Sequence, residues 1–393
     1  VIALDQLRSS PNALASHYSR FRVSERLLLT GHSHQAWPDV AVEGQLEALD
    51  DAARHVDAKW DRAAAKAEEV AAGFRTWLGD PGAEIALGAS THELVVRFLS
   101  ALDLRRRPRL VTTDGEFHSV RRQLARLGEE DIEVVRIAAE PVGTLAARLA
   151  EEVDAGTSAV LVSMVLFETS RIVPGLDELA TACADDDVEL LVDAYHALGV
   201  VPVSLPAMGL SDAWVVGGGY KYLQLGEGNC FLRIPQHADR FRPVVTGWYA
   251  EFGELADEPD PRRVSYPTGA GRFAGSTYDP TSHYRAARVF RSHDELGLTP
   301  TLLHEVSRHQ VGVLMHAFDE LGFPEDVITR DRSVTREAFA GFMALRCADA
   351  QDRKDALAAR GVLTDSRGPY LRFGPAPYLS DDQLREAVAA LAV

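Results

Sequence analysis

Lys59, Lys66, Lys221 and Lys354 are the four lysines of a chain with 41 basic residues. Lys59 and Lys66 fall in a charged, Ala-rich helical stretch, and Lys354 lies in Gln351-Asp352-Arg353-Lys354-Asp355, which reads as a solvated helix start. Lys221 has a different setting. It belongs to Gly217-Gly218-Gly219-Tyr220-Lys221-Tyr222-Leu223-Gln224-Leu225-Gly226-Glu227-Gly228-Asn229-Cys230, between the apolar runs Ala213-Trp214-Val215-Val216 and Phe231-Leu232-Arg233-Ile234. Such runs read as buried strands, and the flanking glycines read as a turn. An ammonium held there loses its water, so it is paired, depressed in pKa or covalently used. Lys221 is therefore a candidate for Schiff-base chemistry, with a lysine snorkelling from a strand end as the alternative.

Asp193 ends the run Leu190-Leu191-Val192, and His196 follows in Asp193-Ala194-Tyr195-His196. A carboxylate at the C-terminal end of a parallel strand faces the crevice where α/β sheets bind ligands. Asp193 could keep a pyridinium nitrogen protonated while Lys221 carries an aldehyde carbon, the pairing that a pyridoxal phosphate site needs. Alone, a strand-end Asp is as readily a helix cap. Gly88-Ala89-Ser90-Thr91 lies between a strand and a helix, where backbone N–H groups and two hydroxyls form either a phosphate cup or an ordinary N-cap. Phe117, in Asp114-Gly115-Glu116-Phe117-His118-Ser119, follows another strand end and could cover a flat ring or pack in the core. The loop Gly31-His32-Ser33-His34-Gln35-Ala36-Trp37-Pro38 gathers histidines, a hydroxyl and an aromatic, in a chemical role or as a polar connection.

These groups need a scaffold. Short apolar runs alternate with helical stretches: Ile85-Ala86-Leu87, Leu110-Val111-Thr112, Ile132-Glu133-Val134-Val135, Ala159-Val160-Leu161-Val162, Leu190-Leu191-Val192, Trp214-Val215-Val216 and Cys230-Phe231-Leu232. The pattern predicts seven strands in a mostly parallel sheet with helices on both faces. A long helical region over 41–78 precedes them and stops at Gly79-Asp80-Pro81-Gly82. After Pro280, amphipathic helices over 283–296 and 302–321 are expected, then strands Met343-Ala344-Leu345-Arg346 and Tyr370-Leu371-Arg372-Phe373 and a last helix from Ser380. The expected organisation is an N-terminal segment 1–40 packing with a small α+β domain 281–393, and a large domain 41–280.

With 393 residues and 46% hydrophobic composition the chain can bury a large core. Its 58 acidic residues give a formal charge of −17, which argues against nucleic acid and anionic membranes as partners. A small-molecule enzyme is the default reading. No apolar run approaches a membrane span and no leader pattern opens the chain, so a cytoplasmic protein is expected. Cys183, Cys230 and Cys347 fit neither a disulfide framework nor a zinc site, and no metal is expected.

Taken together, Asp193 with His196, then Tyr220-Lys221-Tyr222 before a Gly-rich return strand, resemble the class V branch of fold-type I pyridoxal phosphate enzymes. Within that branch the chain most resembles kynureninase. The likeness runs through the 31–38 loop, the Ser90-Thr91 turn, Gly247-Trp248 and the C-terminal Gly361-Val362-Leu363-Thr364-Asp365-Ser366-Arg367 followed by Leu371-Arg372-Phe373-Gly374. It implies Lys221 as the Schiff-base lysine, Asp193 at the pyridine nitrogen with His196 beside it, and Phe117 stacked on the ring. Ser90, Thr91, Tyr220 and Trp248 would contact the phosphate. Gly275-Ser276-Thr277 departs from the pattern of relatives, and Ser276 and Thr277 are assigned there. Ser33, His34 and more loosely His55 would meet the aryl ring. Arg372 would grip the substrate carboxylate, although an Arg in an apolar strand can instead be half of a structural ion pair.

The activity so implied is hydrolysis of a side-chain carbon–carbon bond in kynurenine or 3-hydroxykynurenine, giving alanine and an anthranilate, with Tyr220 as proton shuttle and a homodimer as the assembly. Another class V activity, an aminotransferase or a lyase on a different amino acid, is the alternative. A cysteine desulfurase is disfavoured because Cys347 follows an apolar strand and no Ser-Gly-Ser-Ala-Cys-type loop is present. A binding protein on a degenerate enzyme fold is the reading from another class.

Overall fold

The structure, a computed structural model, describes residues 2–255, 260 and 262–392. Strand β1 (Leu27–Leu28) comes first, followed by β2 (Glu84–Gly88), β3 (Arg109–Thr113), β4 (Glu133–Ile137), β5 (Thr157–Ser163), β6 (Glu189–Asp193), β7 (Trp214–Gly218) and β8 (Cys230–Ile234). Strands β2 to β8 form one sheet in the order β2-β8-β7-β6-β5-β3-β4, and they are the seven strands expected from the apolar runs. The β4-β3-β5-β6-β7 portion is parallel, while β8 runs antiparallel to both β7 and β2. Helices Thr91–Ala101, His118–Leu127, Leu145–Glu151 and Leu176–Asp185 cross between successive strands.

Side chains alternate across this sheet, as the strand period requires. Val160, Val162, Val192, Val215 and Phe231 enter one core, and Ala159, Leu161, Leu191, Trp214, Val216 and Leu232 enter the other. Both faces are covered, which is why these strands read as continuous apolar runs. The parallel strands β3, β5, β6 and β7 therefore bring their C-terminal ends, with the turns holding Phe117, Asp193 and Lys221, to one edge.

The C-terminal part adds β9 (Thr329–Arg330), β10 (Met343–Arg346), β11 (Val362–Leu363), β12 (Asp365–Arg367) and β13 (Tyr370–Phe373). An antiparallel sheet of order β12-β13-β10-β9 results, with helices Pro300–Glu320 and Asp381–Ala389 packed together beside it. The chain's beginning is stitched onto this part. β1 pairs in parallel with β11, Thr30 bridges Gly374, and Gly31 N–H donates to the Gly374 carbonyl at 2.8 Å. The loop after β1 is thereby carried to the end of β13, where Arg372 lies.

One expectation needs correction. The region 41–78 is two helices, Val40–His55 and Lys59–Trp77, separated at Val56, whose φ of 48° lies in the left-handed region. No Gly or Pro marks the break, so the sequence pattern runs through it. Helix Thr281–Leu296 packs along both.

Candidate active site

Lys221 follows β7 directly and is only 5% exposed. Its place depends on missing side chains. A Cβ on Gly218 would lie 2.5 Å from Tyr195 Oη and 2.7 Å from Cys230 Sγ, so only glycine lets the strand end pass beneath the Tyr195 ring. Lys221 Nζ is 2.8 Å from His196 Nε2 and stands over the rings of Tyr195, Phe117 and Tyr220 at 5.0, 5.2 and 5.6 Å. Burial pushes its pKa down and Arg372 and Arg367 add to this, while Asp193 and Asp365 oppose it. His196 is driven well below the usual histidine range by burial, then by Lys221 and Arg372, so its imidazole is neutral. A neutral Nε2 facing the amine is placed to accept its hydrogen bond.

Asp193, at the end of β6, accepts the Tyr195 N–H at 2.8 Å through Oδ1. Burial raises its pKa against the opposing pull of that N–H and of Lys221. Beside it on the sheet, Ser163 of β5 is its register partner, and Ser163 donates through N (3.0 Å) and Oγ (2.6 Å) to Glu116. Glu116 also accepts from Thr113 Oγ1 at 2.8 Å. This buried carboxyl ties the turn after β3 to the end of β5 and so sets the position of Phe117, the next residue. Burial pushes its pKa up to about 7, against the Ser163 and Thr113 hydroxyls and with help from Asp193. Phe117 meets Phe167 edge-on at 5.3 Å and leaves a face toward Lys221.

The opposite wall comes from the stitched loop. His34 stacks on Tyr220 with centroids 5.0 Å apart and planes at 21°, and Ser33 Oγ is 3.1 Å from His34 Nδ1. Burial raises the Tyr220 pKa to about 12, so its phenol keeps its proton. Arg372 is 2% exposed, pairs with Asp365 at 2.8 Å and donates to the Phe167 carbonyl. In this structure it thus makes the ion pair that the sequence left as the alternative.

Ser90 is the N-cap of helix Thr91–Ala101, its Oγ accepting the Glu93 N–H at 3.2 Å. Glu93 takes the Ala89 N–H at 3.1 Å and pairs with Arg97. Gly88, two residues before Ser90, is the register partner of Cys230, whose Sγ is 3.9 Å from Tyr195 Oη, so this helix start adjoins the ring that Lys221 stands over. Trp248 donates from Nε1 to Thr277 Oγ1 at 3.3 Å, and Gly247 lies against Gly275 and Ser276. Gly275 in turn packs on Arg97 of helix Thr91–Ala101, which donates to the Phe273 carbonyl. His55 faces Asp51, 4.0 Å away, at the end of its own helix.

Four residues at the site were not singled out from sequence: Tyr195, Glu116, His32 and Asp365. Tyr195 and Glu116 lie inside motifs already noted, so position within a strand-end turn was the available signal. His32 and Asp365 lie in the 31–38 loop and the 361–367 segment, but nothing local brings the two together, because their meeting depends on pairing of the first and last parts of the chain. Among the described residues no group of three or more His, Cys, Asp or Glu side chains could hold a metal ion, and no helix is long and apolar enough to cross a membrane.

No family model matches the chain, and no curated protein matches it in sequence. Solved structures do match it in fold. The cystine C-S lyase C-DES in complex with its reaction product cysteine persulfide aligns at 16% identity over 94% of this chain and 98% of that one, TM-score 0.81. The cysteine desulfurase CsdA from Escherichia coli aligns at 15% identity over 99% and 98%, TM-score 0.78. A cysteine desulfurase from Thermococcus onnurineus NA1 aligns at 17% identity over 94% and 94%, TM-score 0.77. The chain has the fold of class V, fold-type I pyridoxal phosphate enzymes. These relatives in fold are desulfurases and C–S lyases rather than kynureninases.

Proposed function

We propose that the protein is a pyridoxal phosphate-dependent lyase of class V, acting on an α-amino acid that carries a leaving group on its side chain. The observation that carries this reading is a buried lysine with a lowered pKa, hydrogen-bonded to a neutral histidine and flanked by a half-buried strand-end acid. The residues fit the cofactor. Lys221 would hold its aldehyde carbon, Asp193 its ring nitrogen and Phe117 one face. Thr91 and Ser90 would take its phosphate, with Trp248, Ser276, Thr277 and Tyr220 as further ligands. When bound, pyridoxal phosphate supplies an electron sink conjugated to the amino acid's Cα.

The chain's own groups do the remaining work. A lysine whose ammonium is destabilised by burial is a competent base for the Cα proton near neutral pH. His196, neutral and 2.8 Å away, can relay that proton. Arg372 would take the substrate's α-carboxylate, and Tyr220, still protonated, can donate to a departing group. Cys183, Cys230 and Cys347 are all buried, which supports a lyase needing no cysteine nucleophile over a desulfurase that uses one.

Hydrolysis of kynurenine is the second reading, favoured by the His34–Tyr220 stack with Ser33 beside it, a flat wall suited to an aryl ring. The test separates the two. Purified protein and its Lys221→Ala variant are scanned for the visible band of lysine-bound cofactor, then given cystine or kynurenine. The expected outcome is a band lost in the variant and pyruvate formed from cystine. Anthranilate fluorescence from kynurenine would instead select the hydrolase. No band after supplying pyridoxal phosphate would reject the cofactor and both activities.

A further inference from the structure

Arg372 is the group to which the proposed function gives the substrate carboxylate, yet a protein carboxylate already holds it. Asp365 and Arg372 are register partners on β12 and β13, and Asp365 Oδ2 lies 2.8 Å from Arg372 Nη2. The grip is partial. Arg372 Nη1 is spent on the Phe167 carbonyl and Nε is buried with no hydrogen-bond partner, so the guanidinium does not engage Asp365 through two parallel bonds. Asp365 Oδ1 is likewise buried without a hydrogen bond.

A second cation waits on the same face. Arg367, two residues along β12, has Nη1 3.6 Å from Asp365 Oδ1. On the other side, His32 Nε2 is 3.8 Å from Asp365 Oδ2. His32 is 1% exposed, neither ring nitrogen has a partner, and its ring stacks on Phe342 at 4.5 Å. Gly374 makes room for it, since a Cβ there would lie 2.1 Å from His32 Nδ1. Buried polar atoms are rarely left unpaired. Here Arg372, Arg367 and His32 meet around one carboxylate, each with a buried nitrogen that has no partner, so the arrangement is one of two that the same groups can make.

We propose that Asp365 is a resident surrogate for the substrate carboxylate: it occupies Arg372 in the ligand-free protein and yields it to an incoming carboxylate by turning to Arg367 and His32. This rests on Arg372 being the carboxylate site. The exchange needs only a side-chain rotation, because all three partners already surround Asp365. A free carboxylate wins because it can engage Nε and Nη2 together, a two-bond contact stronger than the one it replaces. Asp365 thus sets the affinity of the site for acids, and after exchange it neutralises Arg367 so that the pocket accepts a single carboxylate.

The test uses propionate, which carries the carboxylate alone, and uncharged propionamide of the same shape, each titrated calorimetrically into the purified holoprotein. If Asp365 occupies Arg372 in most molecules, Asp365→Asn binds propionate roughly tenfold more tightly while propionamide is unchanged. Unchanged or weaker propionate binding, with a wild-type unfolding midpoint, would overturn the proposal and leave Asp365 a fixed partner of Arg372. Should Asp365→Asn not fold, Arg367→Ala carries the test. Removing the alternative partner should weaken propionate several-fold, and an unaltered affinity would equally overturn the exchange. Absence of the cofactor band in a protein that still shows the Asp365-dependent shift would reject the proposed function alone.

Discussion

At the scale of single residues the pocket is built by carboxyls that each hold a neighbour in place. Glu116 is the clearest case. Its three hydrogen bonds come from Ser163 N, Ser163 Oγ and Thr113 Oγ1, all buried. Glu116→Ala leaves these donors unsatisfied, and it should cost about 2–4 kcal/mol, read as a lower urea midpoint. Glu116→Gln keeps the shape and most of the bonds, so its stability loss should be under half of that. If Glu116 positions Phe117, the Gln variant will also shift the absorbance of bound cofactor relative to wild type, and an identical spectrum would confine Glu116 to a stabilising role. Lys221, Asp193 and Tyr220 were legible in the sequence because strand ends and glycines announce them. Glu116 stood next to a residue singled out for stacking, but a lone Glu in a turn carries no local sign of burial. Only the adjacency of β3 and β5 puts Ser163 above it.

At the scale of elements, the seven strands were readable because both faces of the sheet are buried, and the amphipathic helices because one face is not. What could not be read was pairing between distant segments: β1 on β11, and Asp365 opposite Arg372. The break at Val56 was hidden for a different reason, since a β-branched residue at positive φ contradicts its own preference. Helix Thr281–Leu296 carries the element-level prediction. Its His283 and His293 are buried, and burial lowers each pKa to about 4. Both remain neutral in the fold while the unfolded chain takes up protons below pH 6.5. Stability is therefore lost as pH falls from 6.5 toward 4, by about 3 kcal/mol for each. Glu116 acts in the opposite sense. Its pKa is raised to about 7, so it adds about 3 kcal/mol as pH falls from 7 through 4.5. The histidines outweigh the acids: Asp193, also raised by burial, joins Glu116, while His32 and His196, also lowered by burial, join His283 and His293. Urea midpoints should fall between pH 7 and pH 4.5, and His293→Gln should flatten that slope. A midpoint that rises on acidification would contradict the burial of these rings.

At the scale of the whole molecule, six of the ten exposed large hydrophobic side chains among the described residues fall within one stretch of chain. Val244, at 83% exposure, is followed by exposed Val245, Trp248, Phe252 (60%), Leu255 and Val264, within one stretch of chain. Trp248 and Tyr249 extend this surface inward to Tyr278 and Trp60. A patch of this kind marks an interaction surface, and we expect a second copy of the chain to cover it. The same Trp248 is a candidate phosphate ligand, so association and cofactor retention should be linked. Net charge sets the conditions. Two chains of −17 each repel at low ionic strength, and screening shortens that repulsion to about 8 Å at physiological salt. Apolar contact is not weakened in this way, so dimerisation should tighten as salt is added, opposite to an association driven by ion pairs. Sedimentation should give twice the 42.9 kDa chain mass, with a smaller dissociation constant at 0.3 M salt than at 0.03 M. Val244→Glu, which places a charge at the most exposed residue of the patch, should yield monomers that lose pyridoxal phosphate on dialysis. A Val244→Glu protein that is monomeric but keeps its cofactor would uncouple the surface from the site, and one that remains dimeric would move the interface elsewhere.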